Sequence, residues 1–161
     1  MAKEKTPVTI AVRVLRAEKV AFSDHLYGYE EKGGTALSSR ELGFDEHSVI
    51  KTLVMEDENG SPLIVLMHGD LQVSTKELAR VIGVKLVSPC TAEKAHKESG
   101  YLVGGTSPFG TRHQMPVYME RSITSLSKIY INGGKRGYLV GMTPVDLIRV
   151  LKPLMVTVGI R

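Results

Sequence analysis

His47-Ser-Val-Ile-Lys-Thr-Leu-Val-Met55 is followed by Asp57-Glu-Asn-Gly60 and then by Pro62-Leu-Ile-Val-Leu-Met-His68. Both apolar segments are rich in β-branched and long side chains, and the Asp-Glu-Asn-Gly connection carries hairpin turn chemistry. Residues 49–55 and 62–68 are therefore expected to form an antiparallel pair. One residue breaks the pattern. Lys51 sits mid-strand among neighbours that are nearly all apolar, and alternation allows two readings of it. Either its stem lies along the strand and its ammonium reaches solvent, or it serves a site.

Outward from this pair, helix and strand signals alternate. Thr6-Pro7 offers a capping hydroxyl followed by a residue whose missing N–H costs nothing at a helix start, and Ala11, Val12 and Leu15 supply an apolar stripe for a helix to about Lys19. Residues 21–27 alternate as a strand, and residues 35–42 have helical spacing ended by Gly43. Ser74-Thr-Lys-Glu77 is a capping box, in which hydroxyl and carboxylate can each satisfy a free backbone N–H, and Gly83 closes that helix. A further helix is expected over residues 91–99 before Gly100, between short strands near 85–87 and 101–103. Residues 116–120, 128–131 and 137–140 read as extended. Thr143-Pro-Val-Asp146 opens a last helix that Pro153 stops, and residues 155–160 read as a final strand. The sum is an α+β (mixed α/β) domain, a largely antiparallel mixed sheet with helices packed outside it.

Length and composition fit that fold. The chain has 161 residues, 42% of them hydrophobic, enough for one substantial core and too few for two, so residues 1–161 read as a single domain. Its 21 basic and 17 acidic side chains give +4, and aromatic residues make up only 6% with no Trp. Such a surface suits contact with one end of a nucleic acid better than coating of a long duplex. Cys90 is the only cysteine, which excludes an intramolecular disulfide and a thiolate metal cluster. Residues 1–5 lead into a segment carrying Arg13, Arg16, Glu18 and Lys19, which interrupts any signal-peptide apolar core, and the apolar run 63–67 falls far short of the ~20 residues a membrane helix needs. A cytoplasmic protein with no membrane segment is expected.

Few residues offer chemistry unaided. His25, His47, His68, His96 and His113 are dispersed, with no i, i+4 pair, so no metal is expected. Ser107 lies among glycines, but Pro108 lacks the N–H that an oxyanion would need. Cys90 has no evident activating neighbour and reads as a small packed residue. Gly104-Gly105-Thr106-Ser107 and Asn132-Gly-Gly-Lys-Arg-Gly137 can bring backbone N–H groups close to a ligand, or can simply be turns; neither is a Walker loop. Lys135 and Arg136 suit phosphate contacts or an exposed basic turn.

Three segments, taken together in order and spacing, resemble a known family: His47-Ser-Val-Ile-Lys-Thr-Leu53, Gly100-Tyr-Leu-Val-Gly-Gly-Thr-Ser-Pro-Phe-Gly110 and Ile129-Tyr-Ile-Asn-Gly-Gly-Lys-Arg-Gly137. They are similar to the YbaK/EbsC-type deacylases, relatives of the editing domain inserted in bacterial prolyl-tRNA synthetases. The resemblance spans most of the chain and implies a compact α/β domain that needs no cofactor and removes the aminoacyl group from mischarged tRNA, typically Cys-tRNA(Pro). It implies that Lys51 is the essential lysine, that Thr52 and Tyr27 lie near the substrate, and that Gly104, Gly105, Thr106 and Ser107 line the aminoacyl pocket. Asn132 matches a pocket position, and Gly133 and Arg136 of the same loop are expected to bind substrate with it. The attacking group implied is the substrate's own cysteine thiol, giving a cyclic thioester, or water. The partners implied are the aminoacyl-tRNA 3′ end and prolyl-tRNA synthetase. The alternatives are a deacylase for another small aminoacyl group and a non-catalytic, tRNA-binding regulatory module. One departure stands out: several relatives carry an acidic residue shortly after Lys-Arg-Gly, whereas this chain reads Tyr138-Leu-Val140, which leaves substrate preference open.

Overall fold

The central strands are buried on both faces, and that organises everything else. In the computed structural model, which describes residues 6–161, β2 (Val49–Asp57) and β3 (Pro62–His68) pair antiparallel from Ile50↔His68 to Glu56↔Pro62. Alternation sends Ile50, Val54, Ile64 and Leu66 into one core and Met55, Leu63, Val65 and Met67 into a second on the opposite face. This is why the segment reads as a continuous apolar run. The turn closes as expected, with the Asp57 carboxylate accepting from Asn59 N and Ser61 N.

The other elements are α1 (Ile10–Ala17), β1 (Ser23–Leu26), α2 (Gly34–Leu42), β4 (Gln72–Val73), α3 (Thr75–Ile82), β5 (Val87–Pro89), α4 (Ala92–Ser99), β6 (Val117–Glu120), β7 (Ile129–Lys135), β8 (Tyr138–Met142), α5 (Pro144–Leu151), β9 (Leu154–Val156) and β10 (Gly159–Ile160), with short 3-10 turns at Glu46–Ser48 and Arg121–Ser125. The main sheet runs β1-β8-β7-β2-β3-β6-β9, and β5 also joins β2. Pairs β1·β8, β7·β8, β2·β3 and β2·β5 are antiparallel; β2·β7, β3·β6 and β6·β9 are parallel. Residues of α1, α4 and α5 fill the first core, and Leu78 and Ala79 of α3 fill the second. The mixed sheet with helices outside matches the expectation. Among the described residues, no helix is long and apolar enough to cross a membrane.

Local chemistry set most helix ends. Thr91 and Thr143 cap α4 and α5 by accepting from Lys94 N and Asp146 N, and Gly43, Gly83 and Gly100 end α2, α3 and α4 in the left-handed conformation. Several boundaries moved. The cap of α1 is Thr9, not Thr6: its hydroxyl accepts from Val12 N and also donates to Gly133 O, a tertiary contact that Thr6 does not make. The expected capping box is half made, because Ser74 Oγ accepts from Glu77 N while Ser74 N donates to Val158 O and Glu77 pairs with Arg80. Residues 101–103 are not a strand: the chain turns at Val103–Gly104, held by Gly105 N donating to Leu102 O. The expected final strand is two. Val156 pairs with Glu120 in the main sheet, whereas Gly159 pairs with Val73 in a separate ribbon, so the chain must change sheets between them. The reading of residues 1–5 lies outside the described residues.

Candidate active site

A gap in strand pairing makes the site. Along one edge of β2, β7 covers only Val49 and Ile50, and β5 covers only Met55 to Asp57, which leaves residues 51–53 without a strand partner on that edge. Val54 O accepts from Cys90 N on this edge, so by alternation the backbone groups of Thr52 face the same side. The gap opens into a cleft of about 670 Å³ whose walls include Tyr27, Tyr29, Thr35, Lys51, Thr52, Leu53, Val103, Gly104, Thr106, Asn132, Arg136 and Leu139. Its far end is apolar, built by Val54, Met55, Pro89, Cys90, Ala92 and Ala95.

Lys51 is half-buried, and its ammonium donates to Leu71 O, which occupies one of its three donors. Burial pulls its pKa below the usual lysine value, and the nearby Glu46 and Asp70 carboxylates pull the other way. Beside it, Thr52 Oγ1 is the one buried side-chain polar atom without a hydrogen-bond partner among the described residues. A buried hydroxyl left unpaired costs about 1–3 kcal/mol, so it is a group poised to accept a ligand's hydrogen bond or give one.

The two glycine-rich segments meet, although not in the expected way. A Cβ on Gly105 would lie 2.8 Å from Arg136 N, and one on Gly133 would lie 2.3 Å from the Tyr138 ring. Glycine at these positions lets protein pack on protein rather than on a ligand. The second segment is not a free loop: residues 132–135 belong to β7, with a bulge between Asn132 and Lys135. Asn132 ties both together, donating from Nδ2 to Gly104 O at 3.0 Å and accepting from Gly134 N and Lys135 N. Arg136 Nε adds a bond to Val103 O at 2.8 Å, and its guanidinium lies over Tyr29 at 5.1 Å.

Of the residues singled out from sequence, Lys51, Thr52, Tyr27, Gly104, Thr106, Asn132 and Arg136 converge on the cleft. Gly105, Ser107 and Gly133 do not line it. Ser107 is fully buried and accepts from Phe109 N, and the Gly105 N–H is used by Leu102 O, so neither is available to hold a substrate carbonyl. Cys90 does line it, and burial together with the Glu56 carboxylate pushes its thiol up to about 11, which keeps it protonated and poorly nucleophilic near neutral pH. Tyr29, Thr35 and Leu139 had no sequence signal of their own, since their place depends on how α2 and β8 meet β2. Leu139 stands in the cleft wall.

Behind Lys51 lies a histidine pair. The His47 and His68 rings stack at 3.7 Å and 7°, His47 Nδ1 donates to Asp70, His68 Nδ1 donates to His47 O, and His68 Nε2 meets Ser122 Oγ at 2.7 Å. Ring-nitrogen lone pairs lie in the ring planes, so parallel stacked rings cannot converge on one ion, although His47, His68 and Asp70 are close enough together. Burial lowers the His68 pKa below 6.5, outweighing the His47 carbonyl that favours the charged form. A base whose folded pKa is depressed loses stability as pH falls from its unfolded value toward the folded one. Stability is therefore expected to decline below about pH 6.5, with a shallower decline in His68→Gln, as read by melting temperature at intervals between pH 7.5 and 5; identical slopes would remove His68 from the account.

The chain shares the fold of the crystal structure provisionally described as a trans-editing enzyme for prolyl tRNA synthetase, on which it superposes with TM-score 0.82, at 18% identity and over 97% of this chain and all of the other. Residues 32–150 match the family model for the aminoacyl-tRNA editing domain, and the chain belongs to that family. Among its relatives are a protein of Enterococcus faecalis provisionally named Cys-tRNA(Pro)/Cys-tRNA(Cys) deacylase EbsC, 31% identical over 92% of each chain, and a proline–tRNA ligase of Thermodesulfovibrio yellowstonii, 33% identical over 64% of this chain and 18% of the ligase. Editing of aminoacyl-tRNA is thus the activity class of this chain.

Proposed function

We propose that this chain is a cytoplasmic trans-editing deacylase that cleaves the ester of Cys-tRNA(Pro), acting as one unit on the tRNA 3′ end and working alongside prolyl-tRNA synthetase. The observation that carries the reading is the gap in the β2 edge, where a half-buried lysine and an unpartnered buried hydroxyl, successive residues of one strand, both line the cleft. An aminoacyl ester is already activated, so the site needs mainly to hold it and stabilise charge developing on its oxygens. Lys51 supplies a positive charge in a partly dry setting, and Thr52 Oγ1 supplies a neutral donor.

The apolar end from Val54 to Ala95 takes a small side chain, which suits a thiol better than a charged or strongly hydrogen-bonding group. In the step itself the attacking oxygen or sulfur, from water or from the substrate's own thiol, bonds to the ester carbon. The bond to the ribose oxygen breaks, and that oxygen takes up the nucleophile's proton. No protein nucleophile is required.

Release of amino acid from Cys-, Ala- and Ser-tRNA(Pro), with and without prolyl-tRNA synthetase, tests the reading. Cys-tRNA(Pro) is expected to be cleaved with kcat/KM about tenfold or more above the others. Equal or faster cleavage of Ala- or Ser-tRNA(Pro) would reassign the substrate.

A further inference from the structure

Next to the cleft lies a second cavity, of about 550 Å³, lined by Pro7, Leu26, Tyr27, Gly28, Tyr29, Lys135, Arg136 and Gly137. Tyr27, Tyr29 and Arg136 line both, so the two form one continuous path over an aromatic wall. The chemistry of the side cavity is one-sided. Among the described residues that line it, Lys135 and Arg136 are the basic side chains and none is a carboxylate; Glu31 belongs to the main cleft.

Arg136 is held in place for this purpose. Its Nε is engaged by Val103 O and its plane lies over Tyr29, which leaves the terminal guanidinium N–H groups without a carboxylate partner among the described residues. The hairpin tip that carries it cannot shift readily: Gly137 has φ +79°, a Cβ there would lie 2.8 Å from Tyr27 O, and Tyr27 N donates to Gly137 O at 2.9 Å. A fixed guanidinium fork beside a second cation is a phosphate-binding arrangement, and aromatic walls accept a ribose or base in passing.

Resting on the deacylase reading of the main cleft, we infer that the side cavity holds the phosphodiester on the 5′ side of the substrate's terminal nucleotide. Arg136 and Lys135 grip it, and the nucleotide crosses the Tyr27–Tyr29 wall to deliver its ester to Lys51. The ligand class is the single-stranded 3′ end of an RNA, recognised through one backbone phosphate.

The test compares two small substrates, 2′(3′)-O-cysteinyl adenosine, which has no phosphate, and the same amino acid carried on the dinucleotide CpA. Wild-type protein is expected to show a KM about 10–100-fold lower for the dinucleotide. Arg136→Gln should erase most of that advantage, raising the dinucleotide KM by far more than the nucleoside KM, and should flatten the dependence of log KM on log salt by about 0.7. Equal wild-type KM values for the two substrates would overturn the inference. So would an Arg136→Gln defect of the same size on both, which would make Arg136 a prop for the Val103–Gly104 turn. Binding of uncharged CpA and adenosine, followed by calorimetry, separates the two levels. If neither ester is cleaved but CpA binds more tightly in an Arg136-dependent way, the phosphate site stands and the deacylase reading falls. If CpA has no advantage, the phosphate site falls whatever the turnover.

Discussion

Lys51→Ala is expected to lower kcat/KM on Cys-tRNA(Pro) by about 100-fold or more while the melting temperature moves by only a few degrees. The size follows from removing a donor aimed at developing charge in a partly dehydrated site, which typically costs 10²–10³ in rate. Folding should tolerate the change, because the side chain is only half-buried and its hydrogen-bond partner, Leu71 O, belongs to a partly buried residue. Lys51→Met separates charge from packing, since it keeps the stem and removes the ammonium. Both variants should fail alike if the charge is what matters. Wild-type turnover in a folded Lys51→Ala protein would remove Lys51 from the chemistry.

The largest stability effect is expected far from the cleft, at Glu120. This residue is 5% exposed, and its carboxylate accepts from Val158 N at 2.7 Å and Gly159 N at 2.8 Å. Those two bonds fix the segment in which the chain leaves the main sheet at β9 and enters the β4·β10 ribbon, and Ser74 N ties α3 to the same place through Val158 O. Glycine at 159 is part of the fit, because a Cβ there would lie 2.4 Å from the Glu120 carboxylate. Glu120→Ala removes two charge-assisted bonds and leaves two backbone N–H groups poorly satisfied, which should cost about 3 kcal/mol. For a chain of this size that is a fall of roughly 6–12 °C in melting temperature. Deacylation measured well below the transition should be unchanged; a melting temperature within 2 °C of wild type would show that water or a shifted backbone replaces the carboxylate at little cost.

Glu120 also shows where sequence reading stops. A glutamate closing an apolar strand looks like any solvated end residue, and nothing in its neighbours announces the two amides that arrive from almost forty positions later. The same holds for Thr9 and Thr6, two equivalent hydroxyls near a helix start, of which only Thr9 meets Gly133. It holds again for the glycines at 105 and 133, which looked like ligand cradles and prove to be points where one segment seats on another.

What sequence alone determined is the set of features governed by near neighbours. The Asp57–Gly60 turn, the Thr91 and Thr143 caps, the left-handed stops at Gly43, Gly83 and Gly100, and the antiparallel central hairpin each follow from side chains a few residues apart. For Lys51, periodicity left a solvated residue and a working one equally open, and a family resemblance across three distant segments carried the choice. The tertiary structure alone decided that β7 and β5 share one edge of β2 without covering residues 51–53, that Arg136 and Asn132 reach across to the Val103–Gly104 turn, and that the last strand divides between two sheets. The physical reason is range: capping and hairpin closure are settled within a turn of chain, whereas strand order and the gap that opens the cleft depend on backbone pairings between segments far apart in sequence, for which no local period exists.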